Sequence, residues 1–212
     1  MDFDDFLSRI SNIETVIPGG ASSHAKMIPK ERRMPRPDEI YQKSPKKAAV
    51  LALFYPDSDN STRFLLIMRA DYDGTHASQI GFPGGKFEPS DQDLSATAIR
   101  ETEEEVGVHA KSIHIVKKMT ETFIPPSNFL VTPFVGITRQ IPQFRTNHEV
   151  EDLIEVRLSE LLSDKSVGIK KISTSYMENV PVPCFVLNNM TVWGATAMML
   201  SEIKDLIKEN LH

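Results

Sequence analysis

Cysteine is nearly absent: Cys184 stands alone in 212 residues. No disulfide can close within the chain, so a reducing cytoplasmic setting is expected. No His or Cys cluster surrounds Cys184, which reads as a buried strand residue rather than a nucleophile. Long apolar runs are absent too. The longest, residues 48–55, falls far short of the roughly 20 residues that cross a bilayer, so no membrane partner is expected. Positive charge is not in excess: 24 Lys and Arg stand against 29 Asp and Glu, a net −5, which argues against a nucleic-acid surface. The acidic start Met1-Asp2-Phe3-Asp4-Asp5-Phe6 lacks the basic region of a signal peptide. No internal repeat or low-complexity segment occurs. What remains is 40% hydrophobic and 25% charged, enough for one domain with a real core.

One stretch organises the chain. Gly84-Gly85 leads through Asp91 and Asp93 into residues 94–106, with Gly107 behind them. Leu94, Ala98, Ile99, Thr102 and Val106 recur at helical spacing and predict one docked face. Asp91 and Asp93 are N-cap candidates, and Gly107 is a C-terminal stop. At roughly 100° per residue, Glu101, Glu104 and Glu105 share about a quarter of the helix circumference, and Glu103 points elsewhere. Like charges so placed cost a few tenths of a kcal/mol per pair. A hard divalent cation converts that cost into a site, since Mg²⁺ seeks carboxylate oxygens. The other reading is a solvated acidic face.

Residues 2–13, with Phe3, Phe6, Leu7 and Ile10 on one side, predict a short amphipathic helix ended by Pro18-Gly19-Gly20. Residues 21–47 are rich in Pro, Lys and Arg without periodicity and predict an extended arm. Its basic residues either solvate or, in the case of Lys30, Arg32 or Arg33, reach a substrate phosphate. The run 48–55 predicts a strand buried on both faces, paired through a turn to 62–69. A polar loop over 71–78 and a short strand over 79–82 lead into the glycines. Further strands are expected over 112–122, 129–138 and 150–158, with a loop over 123–128 and a helical turn over 159–162. A hairpin joins 180–187 to 190–193 across Asn188-Asn189. The last helix starts near Gly194, with Ala195, Met198, Met199, Ile203, Leu206 and Ile207 as its core face. The sum is α/β with a mixed sheet.

The run Phe82-Pro83-Gly84-Gly85, then Asp91, then Arg100-Glu101-Thr102-Glu103-Glu104-Glu105-Val106-Gly107-Val108 resembles the Nudix box. Eight residues rather than seven precede Arg100, and Thr102 stands where an aliphatic residue is usual. The extra residue, Asp91 and the Phe-Pro-Gly-Gly run resemble the coenzyme A diphosphatase branch. So do Leu65-Leu66-Ile67-Met68-Arg69-Ala70 and Val192-Trp193-Gly194-Ala195. Gly74 and Ser78 depart from that branch, which carries Arg and Gly there. A lost Arg removes one possible bidentate phosphate contact.

The resemblance implies a mixed, curved sheet between helices, with residues 1–47 packed as helix and arm on a Nudix domain over 48–212. It implies a Mg²⁺- or Mn²⁺-dependent diphosphatase of coenzyme A or its acyl derivatives. The alternatives are another nucleoside diphosphate derivative, such as ADP-ribose or NADH, and a non-catalytic binding module. Glu101, Glu104 and Glu105 are the expected metal holders, joined by the Gly85 carbonyl. Arg100 is expected to pair with Glu104 and orient it. Glu149 is a candidate general base or further ligand, and Glu101 is the other candidate base. Arg69, Phe82, Pro83, Gly84 and Gly85 are expected at the substrate. A homodimer is the superfamily expectation.

Overall fold

The computed structural model describes residues 1–30, 32–70, 79–174 and 177–210. Helix α1 (Phe3–Ile10) is followed by α2 (Ala21–Ala25) and α3 (Pro37–Tyr41). Strands β1 (Lys46–Pro56), β2 (Thr62–Arg69), β3 (Ile80–Gly81) and β4 (Gly84–Lys86) lead to helix α4 (Leu94–Val106). Then come β5 (His114–Lys118), β6 (Thr122–Ile124), β7 (Phe129–Ile137), β8 (Val150–Arg157) and α5 (Leu158–Leu162). Strands β9 (Val167–Thr174), β10 (Met177–Leu187) and β11 (Met190–Trp193) precede the final helix α6 (Gly194–Asn210).

The main sheet is mixed. β1 runs parallel to β7 along residues 46–54 and antiparallel to β2. The run 48–55 is buried on both faces, as its unbroken apolar character requires. Ala49, Leu51, Leu53 and Tyr55 join the core beneath α4, where Ala98 and Val106 are also fully buried. Ala48, Ala52 and Phe54 join the opposite core with α1 and α6. There the Phe6 ring lies 5.2 Å from Phe54, and Phe54 lies 5.6 Å from Phe64. Cys184 is buried as expected.

The outer edge of β1 has two partners, and this fork makes the site. β2 pairs with β1 only at Phe54↔Phe64, Tyr55↔Arg63 and Pro56↔Thr62. Further along, β4 takes its place, with Val50↔Gly84, Ala49↔Gly85 and Ala48↔Lys86. β2 is diverted onto β3 and β8 instead. Arg69 at the end of β2 therefore meets Gly84 across a fork rather than across a ladder.

Several expectations change. The arm over 21–47 is not wholly extended, because α2 and α3 interrupt it. Both are five residues long, and α2 is held from outside: Ser23 Oγ and Lys26 Nζ (2.7 Å) bind Asp205 of α6. Within α3, the Glu39 carboxylate accepts from the Arg36 N–H at 2.9 Å. The segment 112–122 yields β5 and ends on the first residue of β6, which runs on into the expected loop 123–128 and pairs with β7 at Phe123↔Leu130. Strand β9 was not foreseen. Its apolar residues are largely exposed, so no buried alternation marks it. Of the expected core face of α6, Met199, Ile203, Leu206 and Ile207 are buried, and Ala195 and Met198 are partly buried and pack against the same core; Ala195, Met198 and Met199 also line a cavity. The 71–78 loop, with Gly74, His76 and Ser78, lies outside the described residues. No described helix is long and apolar enough to cross a membrane.

Candidate active site

Helix α4 is set by its ends. The Asp93 carboxylate caps it, accepting from the N–H groups of Ser95 (2.8 Å) and Ala96 (2.9 Å). Gly107 ends it in the left-handed region at φ 73°. With Ala98, Thr102 and Val106 buried, Glu101 and Glu105 are directed toward the glycine loop, and Glu104 stays half-exposed beside Arg100. Glu103 turns away to His109, at 2.8 Å.

Asp91 is not a cap. Its carboxylate takes Arg100 in a fork, Nε at 2.8 Å and Nη2 at 3.0 Å, and accepts from Thr97 Oγ1 at 2.8 Å. The Arg100 guanidinium, helped by the Glu88 N–H and Thr97, holds the Asp91 carboxyl well below the usual carboxylate range. Thus fixed, Arg100 donates to Glu101 (3.0 Å), Glu104 (3.2 Å) and the Lys86 carbonyl (3.1 Å). The expected Arg100–Glu104 pair is present, and Arg100 also joins the helix to the glycine loop. Asp91→Asn removes the charge that orients Arg100. The expected result is a kcat lowered about 10- to 100-fold with the fold kept, read by steady-state kinetics beside a thermal melt.

Glu105 is 1% exposed. Its Oε2 accepts from the Gly84 N–H at 2.7 Å. Arg69 Nη1 lies 3.3 Å from Oε1, an ion-pair approach outside hydrogen-bond geometry, so that oxygen is buried without a donor. Arg69 Nη2 donates to the Gly84 carbonyl at 2.6 Å. Burial pushes the Glu105 carboxyl up to about 7 despite Arg69 and Gly84, and the Glu101 and Glu149 charges add to the rise. Burial also raises Glu101, with Glu104 and Glu149 contributing. Glu149 is brought beside them by β2, since the Ala70 N–H donates to its carbonyl at 2.9 Å. The four acids Glu101, Glu104, Glu105 and Glu149 thus form one electrostatic group.

The glycines are required by position. Gly84 has φ 147°, and a Cβ there would collide with the Ala49 carbonyl oxygen and the Val50 Cα. A Cβ on Gly85 would collide with the Glu101 carboxylate. Gly84→Ala is expected to cost about 3 kcal/mol of stability, measured as a lowered denaturant midpoint, because β1 backbone at Ala49 and Val50 must move. Phe82 is 2% exposed and anchors the loop in the core. Pro83 is buried, and its carbonyl accepts from the Leu51 N–H at 2.9 Å, so it holds the loop rather than lining the cavity. The other residues expected at substrate, Arg69, Phe82, Gly84 and Gly85, all line the cavity.

These residues fit a hard divalent cation on two grounds. The donors are carboxylate oxygens, and Glu105 Oε1 is buried without a hydrogen bond. The set is not drawn together: among the described residues no three His, Cys, Asp or Glu side chains converge on one point. Arg100 holds Glu101 and Glu104, and Glu104 is 54% exposed at its side chain.

A cavity of about 680 Å³ opens over the glycine loop. Two of its polar residues were missed from sequence, Glu121 and Thr122, whose hydroxyl is buried without a partner. Thr122 opens β6 and Glu121 directly precedes it, in a stretch with no motif to mark it.

The NUDIX domain family model matches residues 45–175. A protein of Yersinia pestis (strain Pestoides F), described as an uncharacterized Nudix hydrolase, NudL, is 33% identical over 178 residues, 81% of this chain and 87% of that one. Its counterpart in Yersinia pseudotuberculosis serotype O:1b (strain IP 31758) matches equally, at 33% identity over the same shares of each chain. Among solved structures, a Nudix hydrolase from M. Smegmatis, RenU, superposes with a TM-score of 0.54 at 16% identity, over 77% of this chain and 86% of that one, and shows the same fold. Nudix hydrolases as a group use divalent metal ions and act on small nucleoside diphosphate derivatives. The glutamate helix clamped to its glycine loop is therefore that of a hydrolase, and the chain belongs to the Nudix family.

Proposed function

We propose that this chain hydrolyses the diphosphate linkage of coenzyme A or an acyl derivative with Mg²⁺ or Mn²⁺. The products are adenosine 3′,5′-bisphosphate and phosphopantetheine or its acyl form. The observation that carries this reading is the shape of the cavity. Gly84, Gly85, Lys86 and Arg69 line it beside the glutamates, while Val180, Val182, Trp193 and Met198 make one wall apolar. A diphosphate with a nucleoside on one side and a long, weakly polar arm on the other suits a cavity charged in part and apolar beyond.

The chemistry follows from the residues. A bound divalent ion supplies charge neutralisation on the phosphoryl oxygens and a more acidic water. Glu101, Glu104 and Glu105, with the Gly85 carbonyl, are the groups that would hold it. Arg69 fixes Glu105 and the Gly84 carbonyl together, so loop and helix move as one unit. Arg100 orients Glu101 and Glu104. Glu149 takes the proton as the water oxygen bonds to phosphorus and the bridging P–O bond breaks, leaving two phosphate monoesters. Apolar walls exclude bulk water and strengthen each charge contact.

A kcat/KM ranking tests the substrate assignment. Coenzyme A and acetyl-coenzyme A are expected well ahead of ADP-ribose and NADH. A ranking led by ADP-ribose or NADH would keep the hydrolase and discard coenzyme A.

A further inference from the structure

The large cavity does not end at the glycine loop. Toward the N-terminal arm it shares Arg32, Arg33, Pro35, Phe123 and Pro125 with a second cavity of about 500 Å³. That second cavity adds Glu39, Gln42 and Lys43. Three cations, Arg32, Arg33 and Lys43, thus face one carboxylate. Glu39 is already taken, since Arg33 Nη2 lies 2.8 Å and Arg36 Nε 3.3 Å from its Oε1. No ion pair to Arg32 or Lys43 is found among the described residues, and Lys43 instead places its ammonium 5.6 Å from the Phe123 ring centroid. Pro35, Phe123 and Pro125 give this cleft weakly polarisable walls, against which an unpaired cation attracts an anion more strongly than on open surface.

The two ends of the combined cavity therefore differ in chemistry. One is cationic and lies on the arm. The other, beside Trp193 and Met198, is apolar. With a diphosphate centred on Gly84 and Gly85, only one orientation puts a phosphorylated nucleoside at the cations and an uncharged arm at the apolar wall.

We propose that Arg32, assisted by Lys43, binds the phosphomonoester on the nucleoside half of the substrate and so determines both orientation and preference for a 3′-phosphorylated substrate. This rests on the coenzyme A reading given above. It also supplies a phosphate contact from the arm in a chain with Gly74 where the related branch carries Arg.

Calorimetric titration of adenosine 3′,5′-bisphosphate and of AMP into the full chain with Mg²⁺ tests this without turnover. The expected result is that the wild type binds the bisphosphate about tenfold or more tighter than AMP. Arg32→Ala is expected to reduce that preference to about twofold, Arg32→Lys to restore part of it, and Arg33→Ala, whose guanidinium Glu39 already holds, to change it less. Steady-state kinetics should show the coenzyme A to dephospho-coenzyme A ratio of kcat/KM falling about tenfold in Arg32→Ala, through KM. An unchanged thermal midpoint excludes unfolding of an exposed position. Equal binding of both nucleotides by the wild type, or a full preference kept by Arg32→Ala, overturns the proposal. Coenzyme A turnover with selectivity intact in Arg32→Ala removes this inference and leaves the proposed function standing. No coenzyme A turnover in the wild type removes the proposed function, and the titration still decides the role of Arg32.

Discussion

Glu105→Gln is expected to lose about 10³-fold in kcat while the protein stays folded. The substitution keeps the shape and an oxygen for the Gly84 N–H, now 2.7 Å from Oε2. It removes the negative charge from the buried oxygen that has no hydrogen-bond donor. It also sets an amide N–H₂ toward Arg69 Nη1, which lies 3.3 Å from Oε1, so the pair that joins helix to loop is weakened. Arg69 retains its 2.6 Å bond to the Gly84 carbonyl, which keeps the fork in place. Stability is not expected to fall in step with activity, because burial already opposes the charged form of Glu105. Kinetics and a thermal melt on the same sample check both halves. A variant with wild-type kcat would remove Glu105 from the catalytic group.

Glu202→Ala has the largest expected effect on stability, about 3 kcal/mol or more. Glu202 is 0% exposed and sits on α6. Its carboxylate accepts from the Gly20 N–H at 2.7 Å and the Thr120 N–H at 3.1 Å, with His24 Nε2 at 3.5 Å. One side chain thus fastens the N-terminal segment and the turn after β5 to the last helix. Removing it leaves the part-buried Gly20 and Thr120 N–H groups without this acceptor and takes the facing carboxylate from the buried His24 imidazole, whose Nε2 has no hydrogen bond of its own. Burial alone raises the carboxyl, but His24, Thr120 and Gly20 outweigh it, and the net shift is downward. A lowered folded-state value stabilises above the unfolded carboxylate value. That contribution fades as pH falls through the range between the two. Denaturant unfolding of the wild type is therefore expected to weaken over that acid range, and Glu202→Ala to show a shallower acid slope.

Local signals made α4 legible. Asp93, the apolar spacing and Gly107 each act within a turn of the backbone they control, and the box residues came into register on that helix. β1 was legible because a strand covered on both faces has no polar positions. The role of Asp91 was not, since nothing in a spacing of nine residues says that a carboxylate reaches Arg100 rather than capping a helix. α2 and α3 were missed because they are too short to be stable alone; α2 depends on contacts to Asp205, and α3 on those of Glu39 with Arg33 and Arg36. Periodicity marks the apolar face of α6, and Met198 does pack against the core there. It does not report that the start of this face also meets a cavity. The fork between β2 and β4, which brings Arg69 onto Gly84, is a matter of strand partners and leaves no mark on either strand alone.

The measurement to make first is mass spectrometry of coenzyme A incubated with the pure protein and Mg²⁺ in ¹⁸O-labelled water, with Glu105→Gln as the blank. The expected products are adenosine 3′,5′-bisphosphate and phosphopantetheine, with one ¹⁸O on a single newly formed phosphate and none in the blank. Coenzyme A recovered intact while ADP-ribose or NADH is cleaved in parallel, or conversion only to dephospho-coenzyme A, would contradict the proposed diphosphate cleavage.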